Sequence, residues 1–183
     1  MMPETKHITS LMPYASSGDF HRIFYEENDS LHRLSFFLTA DREKAEQCFV
    51  SGFQESVNGS PVFKEWAHAW ARRTIIQNAV RVINPRPVEE HAPSSFDSGG
   101  TTPVVEQVET NAVLQLEPFE RFVYVISVLE RYSDLDCSVL LGCAERDVIA
   151  ARIRAFRQIE NATDFRLTRT VNGETVNPAS TGT

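Results

Sequence analysis

Cysteine is scarce in this chain, with Cys48, Cys137 and Cys143 the only three. Each sits among apolar residues of a predicted helix, as a small buried hydrophobe does. An odd number, no Cys-x-x-Cys and no signal-peptide pattern argue against a disulfide framework and for a reducing, cytoplasmic setting. The five histidines, at 7, 21, 32, 68 and 91, include no pair at metal-ligand spacing. No apolar run approaches the ~18 residues a membrane-crossing helix needs. There is no Gly-rich phosphate loop and no G-x-S-x-G. The paired carboxylates (Glu26–Glu27, Glu89–Glu90, Asp134/Asp136) fall on predicted helix surfaces or in a linker. No enzyme, cofactor or metal is therefore expected.

Positive charge is also in short supply. Eighteen Lys plus Arg face 25 Asp plus Glu, a net of −7. That counts against a protein that coats nucleic acid non-specifically, because phosphate contacts dominate such binding. A specific DNA binder is still allowed if its cations are grouped.

The residues present read as an all-α protein of two small helical domains. Residues 1–16 form an expected disordered leader. The first domain, 17–83, holds four predicted helices: about 19–28, 30–39, 41–56 behind an Asp41 cap, and 61–83 opened by Ser60-Pro61. Asn84-Pro85-Arg86-Pro87 stops the last of these. A Pro-, Ser-, Gly- and Thr-rich stretch then reads as a flexible linker over 84–110. The second domain spans 111–160, with a helix over about 118–131. Residues 161–183 are expected as a disordered tail, with 163–171 alternating weakly like a strand.

Residues 132–159 carry the strongest pattern. Ser133 is a good N-cap for a short helix over 134–141, and Gly142 stands at its C′ position. A longer helix follows, from about 145 to 159, with Val148, Ala151 or Arg152, Ala155 and Ile159 on one side. Short helix, Gly turn and longer Arg-bearing helix outline a helix-turn-helix. Its second helix carries Arg146, Arg152, Arg154 and Arg157.

Three stretches together resemble the small two-domain sigma factors of bacterial RNA polymerase, the extracytoplasmic-function type that keeps only regions 2 and 4. They are ADREKAEQCFVSGF at 40–53, FKEWAHAWARRTIIQNAVR at 63–81 and RYSDLDCSVLLGCAERDVIAARIRAFRQI at 131–159. The resemblance covers roughly 18–83 and 112–160, and rests on order, spacing and linker. It implies an RNA polymerase core partner, promoter DNA, and an anti-sigma factor as a further partner. Glu46 and Phe53 are the implied polymerase contacts. Trp66, Arg72, Arg73, Asn78 and Arg81 are the implied DNA contacts of the region 2-like helix. Ser133, Arg146, Arg152, Arg154 and Arg157 are those of the recognition helix, with Arg146 and Arg154 as its base readers.

The chain departs from the family at informative places. Gln47, Val50 and Ser51 replace an acid, an amide and an acid in the polymerase-binding run, which weakens complementarity to a basic surface. Ile149 and Ala151 replace a Lys and an Arg, and Asp147 opposes phosphate at the recognition-helix start. Two other readings therefore stay open: a degenerate sigma-like protein acting through protein partners without reading DNA, and a regulator that uses only its helix-turn-helix. For the arginines the plainer alternative is a solvated helix face with local ion pairs. For Trp66, Trp70 and Phe53 it is burial in the core.

Overall fold

The computed structural model describes residues 13–87 and 105–172, with side chains at 13–87 and 110–162. The described residues are all-α, with a single isolated bridge between Tyr14 and Phe63 as their only β pairing. Two compact units result: residues up to 36 with 41–82, and residues 37–40 with 83 onward.

The first unit begins before its first helix. Ala15 N–H donates to Val62 O at 2.7 Å, and Lys64 N–H to Pro13 O at 2.9 Å. Of the leader expected over 1–16, residues 1–12 lie outside the described residues, while 13–16 are held by these bonds. Helix α1, Ser17–Glu26, opens on a capping box: Asp19 N–H donates to Ser16 Oγ, and Ser16 N–H donates to Asp19 Oδ2. Its Phe20, Ile23 and Phe24 are buried. Helix α2, Asn28–Thr39, buries Leu31 and Leu34 in this unit. Helix α3, Arg42–Asn58, starts at the expected cap, with Lys44 N–H donating to Asp41 Oδ1 at 3.0 Å.

The next helix starts later than Ser60-Pro61 indicates. Residues 62–64 pair with 13–15, a 3-10 turn covers Lys64–Trp66, and α4 runs only from Ala67 to Ile83. Its Ala71, Ile75, Ile76 and Ala79 are fully buried. Helices α3 and α4 meet closely at Gly52: a Cβ built there would lie 2.8 Å from Ile75 Cγ1 and 3.2 Å from Ile75 N. Ser56 and Thr74 share a hydrogen bond of 3.1 Å in the same buried layer.

In the second unit α5, Val105–Leu114, extends helix into the expected linker, of which 88–104 lies outside the described residues. Pro118 occupies the first position of α6, Pro118–Tyr124, where its missing N–H costs nothing. The helix expected to continue to 131 instead widens into a π turn over Val125–Leu129, and Arg131 adopts φ 60°. Helix α7, Asp134–Leu141, is capped by Ser133, and Gly142 ends it in the left-handed region at φ 63°. Helix α8, Glu145–Asn172, is longer than expected and is helical through the segment read as a weak strand. Phe119, Phe122, Val123, Ile126, Cys137, Val148, Ala151 and Ala155 form the core.

Candidate nucleic-acid interface

The α7–turn–α8 pair is fixed at its ends by local caps. Ser133 Oγ accepts from Asp136 N–H at 3.1 Å, so its hydroxyl serves as the cap of α7. The N-terminal end of α8 is satisfied from within, with Ala144 N–H donating to Asp147 Oδ2 at 3.2 Å. The unusual Asp147 is therefore bonded to backbone beside the positive end of the helix dipole.

The four arginines of α8 between 145 and 159 fall into two groups. Arg152 grips Asp134 of α7 with both terminal nitrogens, the second contact at 3.0 Å. This pair holds the Asp134 carboxyl below its ordinary value, chiefly through the Arg152 hydrogen bond. Arg154 Nε donates to Glu120 Oε1 at 2.7 Å, and Gln158 Nε2 approaches the other oxygen at 3.4 Å. Glu120 is buried and Arg154 only partly exposed. Both guanidinium groups thus bind α8 to its own unit. Arg146, by contrast, is 89% exposed, with one loose contact of 3.8 Å to Asp147, and Arg157 is exposed too.

Sequence reasoning missed an apolar element beside these cations. Leu135 and Val139 on α7 are exposed, as are Ile149, Ile153 and Phe156 on α8. The spacings are i, i+4 on α7 and i, i+4, i+7 on α8, so each helix shows an apolar stripe. The visible signal was the replacement of a Lys by Ile149.

In the first unit the expected sites divide the same way. Arg72 is half-buried, donating to Ser30 Oγ at 3.1 Å and reaching Glu27 at 3.4 Å. Asn78, expected on the exposed side, is buried, and its amide donates to Thr74 O at 2.8 Å. Arg81 is exposed but pairs with Glu55. Arg73 is half-buried. Phe53 is half-buried, edge-on to Phe24 and His21, so it belongs to the core packing of α1 and α3. Glu46 is exposed, 3.6 Å from His32. The two tryptophans part company: Trp66 is 60% exposed, whereas Trp70 is half-buried, with its indole nitrogen enclosed and unbonded.

Buried Cys48 and Cys137 have thiols pushed up to about 11 by desolvation, which leaves them inert packing groups. Among the described residues no cluster of His, Cys, Asp and Glu is arranged to hold a metal ion, and no helix is long and apolar enough to cross a membrane.

The described residues are thus all-α, and their second unit holds a short capped helix, a Gly142 turn and a longer helix. No family model and no curated protein matches the sequence. Among solved structures the chain is similar to the sigma factor RpoE from Bartonella quintana, determined in complex with the anti-sigma factor NepR. Identity is 16%, with 80% of this chain and 97% of that chain covered, at a TM-score of 0.45.

Proposed function

We propose that this chain is a sigma-factor-like protein that binds RNA polymerase core and promoter DNA to direct transcription initiation. The observation that carries the reading is the α7–turn–α8 unit: a Ser133-capped helix, a left-handed Gly142 and a longer helix whose first turn exposes Arg146. With Arg152 and Arg154 engaged inside the unit, Arg146 and Arg157 are, of the four recognition-helix arginines, those left to meet DNA. In the first unit, the exposure of Trp66 supports a role for it in stacking on an unpaired base, and Arg73 lies on the same helix-and-turn segment. Glu46 remains the polymerase contact that the motif implies, whereas Phe53 acts through packing.

A second reading is favoured by the apolar stripes of α7 and α8. A helix-turn-helix with exposed Leu135, Val139, Ile149, Ile153 and Phe156 offers more surface to a protein than to phosphate. On that reading the protein is a degenerate sigma relative that works through protein partners, an anti-sigma factor or polymerase.

Co-purification with bacterial core polymerase, paired with duplex titrations at two salt concentrations, separates these readings. The sigma reading expects core binding, strengthened by Gln47→Asp with Ser51→Glu at low salt and less so at high salt. Core binding without duplex binding selects the degenerate reading. Duplex binding without core leaves a helix-turn-helix regulator.

A further inference from the structure

Helix α8 is apolar on two sides. Val148, Ala151 and Ala155 are fully buried in the core of the second unit. Ile149, Ile153 and Phe156 lie on another side, at 40–47% exposure. At about 100° of turn per residue, these three fall within about 60° of one another. Their stripe stands beside Arg152 and well round the helix from Arg154. Arg152 grips Asp134, so the stripe lies on the side of α8 that faces the start of α7. Phe156 is steadied there by Tyr124, edge-on at 5.6 Å. On α7, Leu135 follows Asp134 and Val139 stands one turn further on, at 62% and 68% exposure. Leu135 and the α8 stripe thus flank one ion pair. Five large apolar side chains remain in water on these two helices, beyond the faces that build the core. Apolar surface gathered in this way marks a site of interaction.

We infer that this face of α7 and α8 docks on the same face of a second copy of the chain, as a two-fold symmetric dimer. The inference goes beyond both readings of the function and depends on neither. What selects a second copy is the charge around the stripes. Glu145 and Glu160 stand on the stripe's side of α8, Arg146 and Arg157 stand at its edge, and all four are exposed. Asp136 is exposed in the first turn of α7. With both signs present, the face has no cationic excess to draw a polyanion. It is complementary to itself instead. In a two-fold interface each contact occurs twice, so Asp136 of either copy meets Arg146 of the other while the stripes close between them. A standard interface takes about 800 Å² from each partner, more than five partly exposed side chains supply. The dimer is therefore weak and forms as concentration rises. Self-association covers Arg146, which ties the state of the recognition helix to concentration.

Sedimentation equilibrium of the full chain over a range of concentrations tests this. Wild type is expected to pass from the monomer mass towards twice that value. Ile149→Ser with Ile153→Ser removes the middle of the stripe at exposed positions, and should weaken the dimer by about tenfold. Arg146→Glu and Asp136→Arg each set like charges together twice, and each should weaken it several-fold, less so at high salt. Mixed in equal amounts, these two variants should associate better than either alone, because both reversed contacts then pair opposite charges. Circular dichroism melts check that every variant is folded. Wild type that stays monomeric at every concentration overturns the inference. So does a serine variant that dimerises like wild type, or a mixture no stronger than its parts. Hydrogen exchange over 145–157 tests the other occupants. Protection that appears only when core polymerase or a duplex is added assigns the face to that partner and overturns the dimer.

Discussion

Replacing Arg154 with alanine separates a structural role from a base-reading one. Arg154 Nε lies 2.7 Å from Glu120 Oε1, and the Glu120 side chain is only 6% exposed. Truncation leaves a buried carboxylate with Gln158 as its remaining side-chain partner, at 3.4 Å. Breaking a fully buried pair costs about 3–5 kcal/mol. Arg154 is 41% exposed, so water screens part of that loss, and about 2 kcal/mol is the expected destabilisation. For a unit of this size that lowers the melting temperature by roughly 8–16 °C. Glu120→Gln added to Arg154→Ala removes the orphaned charge and should recover much of the loss. Thermal and urea melts followed by circular dichroism, run as a double-mutant cycle, give the coupling directly. An Arg154→Ala variant that melts within about 1 °C of wild type, yet binds duplex DNA more weakly, would refute this reasoning and return Arg154 to the base readers.

Gly52→Ala should destabilise the first unit by about 1–3 kcal/mol in a urea melt, because the new methyl meets Ile75 backbone as well as its side chain. Asp134 has a folded-state pKa below the ordinary 3.8, so its pair with Arg152 adds stability that is present above that value. This stability is lost as pH falls through the folded pKa, and Asp134→Asn should flatten the acid limb of the stability–pH curve below about pH 4. Limited proteolysis is expected to cut first between 84 and 110, leaving two resistant fragments. Early cuts within 67–83 or 145–159 would contradict a two-domain division.

Where a signal was local, the sequence was readable. Asp41, Ser133 and Gly142 act through bonds and backbone angles within three or four residues, and the helices begin or end there as expected. Asn84, with φ 50°, ends α4 just before Pro85. The misjudged features depend on distant partners. Ser60-Pro61 is a sound local start signal, but residues 62–64 are taken up by 13–15, some fifty positions earlier. The segment 163–171 alternates in hydrophobicity, yet no Gly or Pro interrupts the chain between Gly142 and Gly173, and α8 runs on to Asn172. The arginines of α8 looked equivalent in sequence. What divides them is Asp134, 18 residues from Arg152, and Glu120, 34 residues from Arg154. Trp66 and Trp70 sit one turn apart in sequence, but the 3-10 turn at Lys64–Trp66 rotates the first outward.

The central claim is that the chain directs transcription initiation, and run-off transcription tests it most directly. Bacterial core polymerase is mixed with the full chain and a pool of promoter fragments, and discrete transcripts are measured with and without the protein. The account predicts transcripts that depend on the chain, and that weaken when Arg146 or Trp66 is replaced by alanine while the melting temperature holds. Core polymerase that binds the chain but yields no dependent transcript from any fragment would contradict it.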